Sequence, residues 1–136
     1  PYFISYNPQS NYYYAKEHTN FEVNPDGRTE GTYTKYQSLD DKIDGLHHYT
    51  WFIKTGRGRA TEDATLEIRN NIITREEGVA LIKKYDGEFP KKYFNEILEY
   101  LDMKEDEFYE IIDSFRPDHI WKKENNKWKL INAVWK

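Results

Sequence analysis

Leu39, Ile43, Leu46, Thr50 and Ile53 recur at steps of three and four residues, while Asp41, Asp44 and His48 fall on the opposite side. That is the spacing of an amphipathic helix. Ser38 stands where a cap belongs, Asp41 takes the capping-box position in its weaker aspartate form, and Gly56 is a stop. The pattern predicts one helix from Ser38 to just before Gly56. Ala60, Ala64 and Ile68 continue at i, i+4, i+8, predicting a helix over 61–70 whose small residues allow close packing. Thr74 with Glu77 forms a capping box for the next helix, which stops at Asp86-Gly87.

Further along, Pro90 opens a helix with the face Phe94, Ile97, Leu98 and Leu101. Phe108, Ile111, Ile112 and Phe115 repeat the pattern before Pro117. Asn125-Asn126, flanked by Trp121, Trp128 and Leu130, reads as the turn of a hairpin. At the front, a short apolar piece at 1–5 precedes Asn7-Pro8, a cap followed by a first-turn proline, which predicts a helix over 8–18. Residues 20–36 are rich in Gly, Thr, Asn, Pro and Asp, with the turn signal Pro25-Asp26-Gly27. They read as a long loop, with "GTYTKY" as short extended structure. The fold class expected is mainly α, five or six helices with a small C-terminal β-hairpin. We read 1–136 as a single C-terminal helical region: helix plus long loop over 1–36, helical core over 37–117, and hairpin tail over 118–136.

Composition qualifies the core. Twelve Tyr and four Trp stand where Leu and Val are usually more numerous, and the mean hydropathy is -1.00. Such side chains bury large areas but carry a polar atom that wants a partner. A thin core and much amphipathic surface are expected, with self-association as a homo-oligomer one outlet. The chain opens at Pro1 and its one methionine is Met103, so it is expected to be part of a longer protein. There is no signal-peptide pattern and no run long enough for a membrane span. The absence of cysteine removes disulfide and thiolate chemistry and fits a cytoplasmic location. A net charge of -4 with mixed signs leaves no basic stripe for nucleic acid.

The candidate chemistry gathers in "KTGRGRATEDATLEIR", Lys54 to Arg69. Lys54, Arg57 and Arg59 surround Gly56 and Gly58 just before a helix start, a setting that suits an anion. The P-loop spacing is absent. Glu62 and Asp63 already balance the dipole of the following helix, so a phosphate would sit against the arginines, off the helix axis. The other reading is a plain connector between helices. His18, His47, His48 and His119 offer no metal set: Asp44 and His48 lie at i, i+4 without a third ligand and read as a solvated ion pair. No metal site is expected. Trp51 projects from the flank of its helix beside Asp40, Asp44 and His47, and suits sugar stacking or a protein interface; the plainer reading is that another helix of the domain covers it. Arg69 and Arg75, with Glu76 and Glu77, read as a polar knot between two helices. No nucleophile pattern is visible.

The ordered blocks "SLDDKI" (38–43), "KTGRGRAT" (54–61), "EIR" (67–69) and "TREEG" (74–78), with "FRPDHIWKK" near the end, resemble the C-terminal half of the N-acetyl sugar amidotransferases of bacterial surface-polysaccharide biosynthesis. Thr55 departs from the family pattern, which has an aromatic after the lysine. The resemblance implies an α/β ATP-pyrophosphatase-type enzyme whose nucleotide-binding domain, marked by S-G-G-x-D-S, precedes this region. It also implies conversion of a sugar acetamido group to an acetamidino group with ATP, magnesium and ammonia from a glutaminase partner. The substrate would be a sugar nucleotide. No S-G-G-x-D-S string occurs here, so the chain alone is expected to be inactive and to hold no cofactor tightly.

On that reading Lys54, Gly56, Arg57, Gly58 and Arg59 contact phosphate or sugar nucleotide, with Thr61 and Asp63 as polar or magnesium-side contacts and Arg69 and Arg75 as further candidates. Arg59→Ala is then expected to cost activity in the intact enzyme and leave the melting temperature nearly unchanged. The alternative is a non-catalytic docking or oligomerisation module, presenting Tyr49, Trp51, Trp121 and Trp128 to the glutaminase or to a second copy.

Overall fold

The computed structural model describes Phe3 and residues 6–136; most of the apolar piece expected at 1–5 lies outside the described residues. Six helices and one hairpin follow in order: α1 (Pro8–His18), α2 (Asp44–Thr55), α3 (Arg59–Arg69), α4 (Arg75–Tyr85), α5 (Phe94–Leu101), α6 (Glu105–Ser114), β1 (Trp121–Glu124) and β2 (Lys127–Leu130). The mainly helical expectation holds, and two helix starts and the hairpin turn follow their sequence signals. Asn7 Oδ1 accepts the Ser10 N–H at 3.0 Å to cap α1, with Pro8 in the first turn. Thr74 and Glu77 exchange both capping-box bonds at α4. At the hairpin, Asn125 and Asn126 both take positive φ, 49° and 60°, as a tight turn between right-twisted strands requires. Trp121 then faces Leu130 and Lys123 faces Trp128.

The helix expected from Ser38 begins six positions later, at Asp44. Ser38 sits at φ 56°, and its hydroxyl donates to the Asp44 carboxylate. Asp41 accepts the Ile43 N–H at 2.7 Å, so a side chain has taken the turn a helix would have used. Leu39 and Ile43, expected on the buried stripe, are exposed in consequence, while Leu46 and Ile53 are buried. Likewise α5 begins at Phe94 rather than at Pro90.

Two interiors result. The apolar one joins α2, α5, α6 and the hairpin through Leu46, Phe52, Ile53, Phe94, Ile97, Phe108, Ile112, Trp121 and Leu130. Its aromatic rings meet edge to face, Phe94 on Phe108 at 5.0 Å and Phe52 on Trp121 at 5.3 Å. Trp121 Nε1 donates to the Ile53 carbonyl at 2.7 Å, which satisfies its one polar atom. Each large side chain buried here contributes roughly 1.5–3 kcal/mol.

The second interior lies between α3, α4 and the long loop, and much of it is polar. Ala60 and Ala64 are fully buried, and Gly78 lets α4 approach Ile68 and Ala64. Across from them the segment "GTYTKY", expected as extended structure, forms no strand. Thr32 and Thr34 are nonetheless buried, their hydroxyls 3.2 Å apart, and Thr32 donates to Asp63 Oδ2 at 2.7 Å. The Gly31 carbonyl accepts the Ala60 N–H at 3.0 Å. Arg28 forks onto both oxygens of Glu88, at 2.6 and 2.9 Å, and lies 4.5 Å from the Tyr85 ring centroid. The loop is therefore held by side chains where strands would use a backbone ladder. Helix α1 buries no residue and reaches the rest through Tyr12, stacked on Tyr36 at 4.7 Å.

Candidate functional site

Helix α2 stops at Gly56, whose φ is 71°, and three residues later α3 begins. Gly58 is its N-cap and supplies no capping side chain. The open donors are taken from a distance. Asp86, just past α4, accepts the Gly58 N–H and the Thr61 N–H at 3.0 Å each, and the Thr61 hydroxyl as well. A Cβ at position 58 would stand 2.7 Å from Asp86 Oδ1, so glycine is what admits this carboxylate. Burial pushes the Asp86 carboxyl above its ordinary value, opposed by these hydrogen bonds. Glu62 stands in the first turn of α3, as expected of an acid that balances its dipole, but neither it nor Asp63 caps the open donors. The chain's own Asp86 does, and the loop cations are what remain for an external anion.

These cations divide into two groups. Arg59 points inward: its Nε donates to Gln37 Oε1 at 2.7 Å, Nη2 reaches the same oxygen, Nη1 donates to His48 Nε2, and Asp63 Oδ1 lies 3.7 Å from Nε. Asp63 is only 5% exposed, and burial pushes its carboxyl up against the opposing pull of Thr32 and Arg59. Since a guanidinium only donates, His48 Nε2 must accept, which places the ring proton on Nδ1. Burial first and Arg59 second hold His48 below its ordinary value. The solvated Asp44–His48 pair expected from spacing is thus a half-buried contact at 3.4 Å around a neutral ring. Lys54 lies 4.9 Å from the Phe115 ring centroid.

Arg57 and Arg69 behave differently. Neither guanidinium has an acceptor among the described residues, and both line a cavity of about 320 Å³ with Trp51, Thr61, Glu62, Thr65 and Leu66. Trp51 is 43% exposed; among the described residues no helix covers it. Glu62 and Leu66 also line a larger cavity of about 530 Å³, walled by Tyr12, Phe21 and Tyr36 and reaching Arg59 and Asp63. On the other side, Arg57 and Thr61 border a third of about 290 Å³ against the hairpin. The loop therefore stands at the junction of three concavities. Arg75 is exposed at the start of α4, away from these, and the knot expected with Glu76 and Glu77 is not formed: Glu77 is engaged by Thr74.

Sequence reasoning placed Arg57, Thr61 and Arg69 here but missed Glu62, Thr65 and Leu66 as lining. It also missed Asp86, whose partners lie 25 to 28 residues away, a contact that carries no local signal.

The aromatic docking set loses most of its members. Trp121 is 6% exposed and belongs to the core. Tyr49 and Trp128 are partly buried against that core, Tyr49 edge-on to Phe89 at 5.2 Å and Trp128 5.4 Å from Arg116. Only Trp51 of the four faces solvent. Among the described residues no three His, Asp or Glu side chains come together as a metal site, and no helix is long and apolar enough to cross a membrane.

Residues 30–134 match the family described as LPS biosynthesis protein WbpG-like, C-terminal domain. The chain belongs to this family. No curated protein matches the chain. The matched span of this WbpG-like domain contains the whole Arg57–Arg69 cavity, the buried residues of both interiors and the hairpin. It leaves out α1, and with it one wall of the larger cavity. The cavity beside Trp51 is therefore built entirely from residues within the family match.

Proposed function

We propose that this chain is the C-terminal region of an ATP-dependent N-acetyl sugar amidotransferase of lipopolysaccharide or related surface-glycan synthesis, acting on a sugar nucleotide. The observation that carries the reading is a pair of arginines without an acceptor among the described residues, Arg57 in the Lys54–Thr61 loop and Arg69 at the end of α3, in a chain of a lipopolysaccharide-biosynthesis family. The two guanidiniums here fit phosphate; on this reading magnesium and the adenine nucleotide are held by residues outside this chain. In the overall reaction the acetamido oxygen takes the AMP group of ATP, pyrophosphate leaves, and ammonia displaces AMP with that oxygen to leave the amidine. An amide carbonyl is a poor electrophile, so cationic donors that meet the shifting phosphate charge supply much of the catalysis.

The test is turnover by the longer protein carrying the preceding coding sequence. Given ATP, magnesium, an ammonium salt and a UDP-N-acetyl sugar, it should yield AMP together with a product whose mass reflects NH in place of oxygen. AMP formation without that mass change, or none at all, rejects the reading. A glutaminase partner predicts that glutamine replaces ammonium only when that partner is added.

A further inference from the structure

Six arginines occur in the chain, and their commitments differ. Arg28 is forked onto Glu88, Arg59 is bound by Gln37, His48 and Asp63, and Arg116 pairs with Asp113 at 3.2 Å beneath Trp121 and Trp128. Arg57 and Arg69 come together in one cavity, and among the described residues no carboxylate is bound to either. Two unpaired guanidiniums in a concavity fit a phosphate, since each presents a planar fork of donors to its oxygens. The acid on the rim, Glu62, repels a bare anion but accepts from a hydroxyl or a ring N–H. Trp51 adds an exposed flat apolar face, a surface on which a ring stacks. At about 320 Å³ the cavity lies at the small end of ligand sites. The ridge of Glu62 and Leu66 opens from it into the aromatic cavity of about 530 Å³.

We propose that the Trp51–Arg57–Arg69 cavity binds the diphosphate of a sugar nucleotide, with Trp51 against one ring, Glu62 holding a hydroxyl or N–H, and the remaining ring passing over Leu66 toward Tyr12 and Tyr36. The identity of the ligand rests on the amidotransferase reading; the site rests on its own geometry. Arg59 and Asp63 form the floor beyond the ridge and act by holding it in place. Lys54, set over Phe115, takes no part.

The measurement is titration of the 136-residue chain with UDP-N-acetylglucosamine, UDP and inorganic pyrophosphate, followed by calorimetry and tryptophan fluorescence. The sugar nucleotide should bind saturably, more tightly than pyrophosphate, and more weakly as salt is raised. Arg57→Ala and Arg69→Ala should each weaken it by about tenfold or more with unchanged melting temperatures, since neither side chain has a hydrogen-bond or ion-pair partner among the described residues. Trp51→Phe should abolish most of the fluorescence change. No saturable binding, equal affinity for pyrophosphate, or binding indifferent to both arginines overturns the site. Turnover of the longer protein separates the two claims. Arginine-dependent binding without amidine formation keeps the site and rejects the reaction. Amidine formation at undiminished kcat/KM in the Arg57→Ala, Arg69→Ala double variant keeps the reaction and rejects the site.

Discussion

The two interiors of this domain are built from different materials. Beneath α2, α5, α6 and the hairpin, nine apolar side chains form one cluster, stabilised by area removed from water and by ring geometry. Between α3, α4 and the long loop the buried side chains are those of two alanines and Ile82 beside two threonines and an aspartate, the polar ones joined by directed bonds to a frame of Gln37, His48, Arg59 and Asp86. Hydrophobic burial is tolerant of direction, and a cluster of this kind follows from periodicity. A polar interior works only when every donor and acceptor finds its partner. That need fixes the position of the segment 28–37, which has no regular structure, and it sets the loop that carries Arg57 at a defined place on the surface.

The contrast can be tested by removing one member from each interior. Phe94→Ala should have the largest effect, a loss of about 3–5 kcal/mol, read from urea unfolding. Arg59→Ala should follow, at about 2 kcal/mol, because it strands the buried Asp63 and leaves Gln37 and His48 without their donor. The earlier expectation of an unchanged melting temperature for this variant does not survive the structure. Adding Asp63→Asn to it should restore part of the loss, whereas strict additivity would mean the two residues do not communicate.

Asp86→Ala should cost about 1–2 kcal/mol by uncapping α3. Gly58→Ala should approach the same value, since its Cβ displaces the same carboxylate. A finding that both are neutral would show that the cap contributes little.

The pH dependence is smaller. His48 is held below its ordinary 6.5, so the unfolded chain takes up a proton first as pH falls. Its contribution is therefore present above about pH 6.5 and lost as pH falls through the folded value. Asp44, His47, Glu62 and Arg59 face the ring, and His48→Gln should flatten that slope in melting temperature. Asp63 has the opposite sign. Its raised value makes its contribution largest in acid and lost as pH rises above the usual aspartate range. Arg57→Ala and Arg69→Ala should shift stability by less than about 0.5 kcal/mol, the least of all.

Capping signals and the longer apolar stripes could be read directly: Asn7-Pro8, Thr74 with Glu77, Asn125-Asn126, and the faces of α5 and α6 all report on residues three or four positions apart. Ser38 misled because a serine before an apolar run reads as a cap, while its hydroxyl was drawn to Asp44. Of the candidate site, the location around Lys54–Arg69 was legible from charge and glycine spacing. Which arginine faces inward was not, because Arg57 and Arg59 differ only in what lies opposite each of them.

By itself, then, the sequence determined the number and kind of elements, the aromatic character of the core and the family of blocks around the loop, all carried by short-range pattern. Only the tertiary structure decided that Asp86 fills the start of α3, that Thr32 and Asp63 share a buried bond across 31 residues, and that Arg57 and Arg69 stand beside Trp51 without an acceptor among the described residues. Hydrogen-bond and charge partners depend on distance in space, and a linear pattern records only distance along the chain.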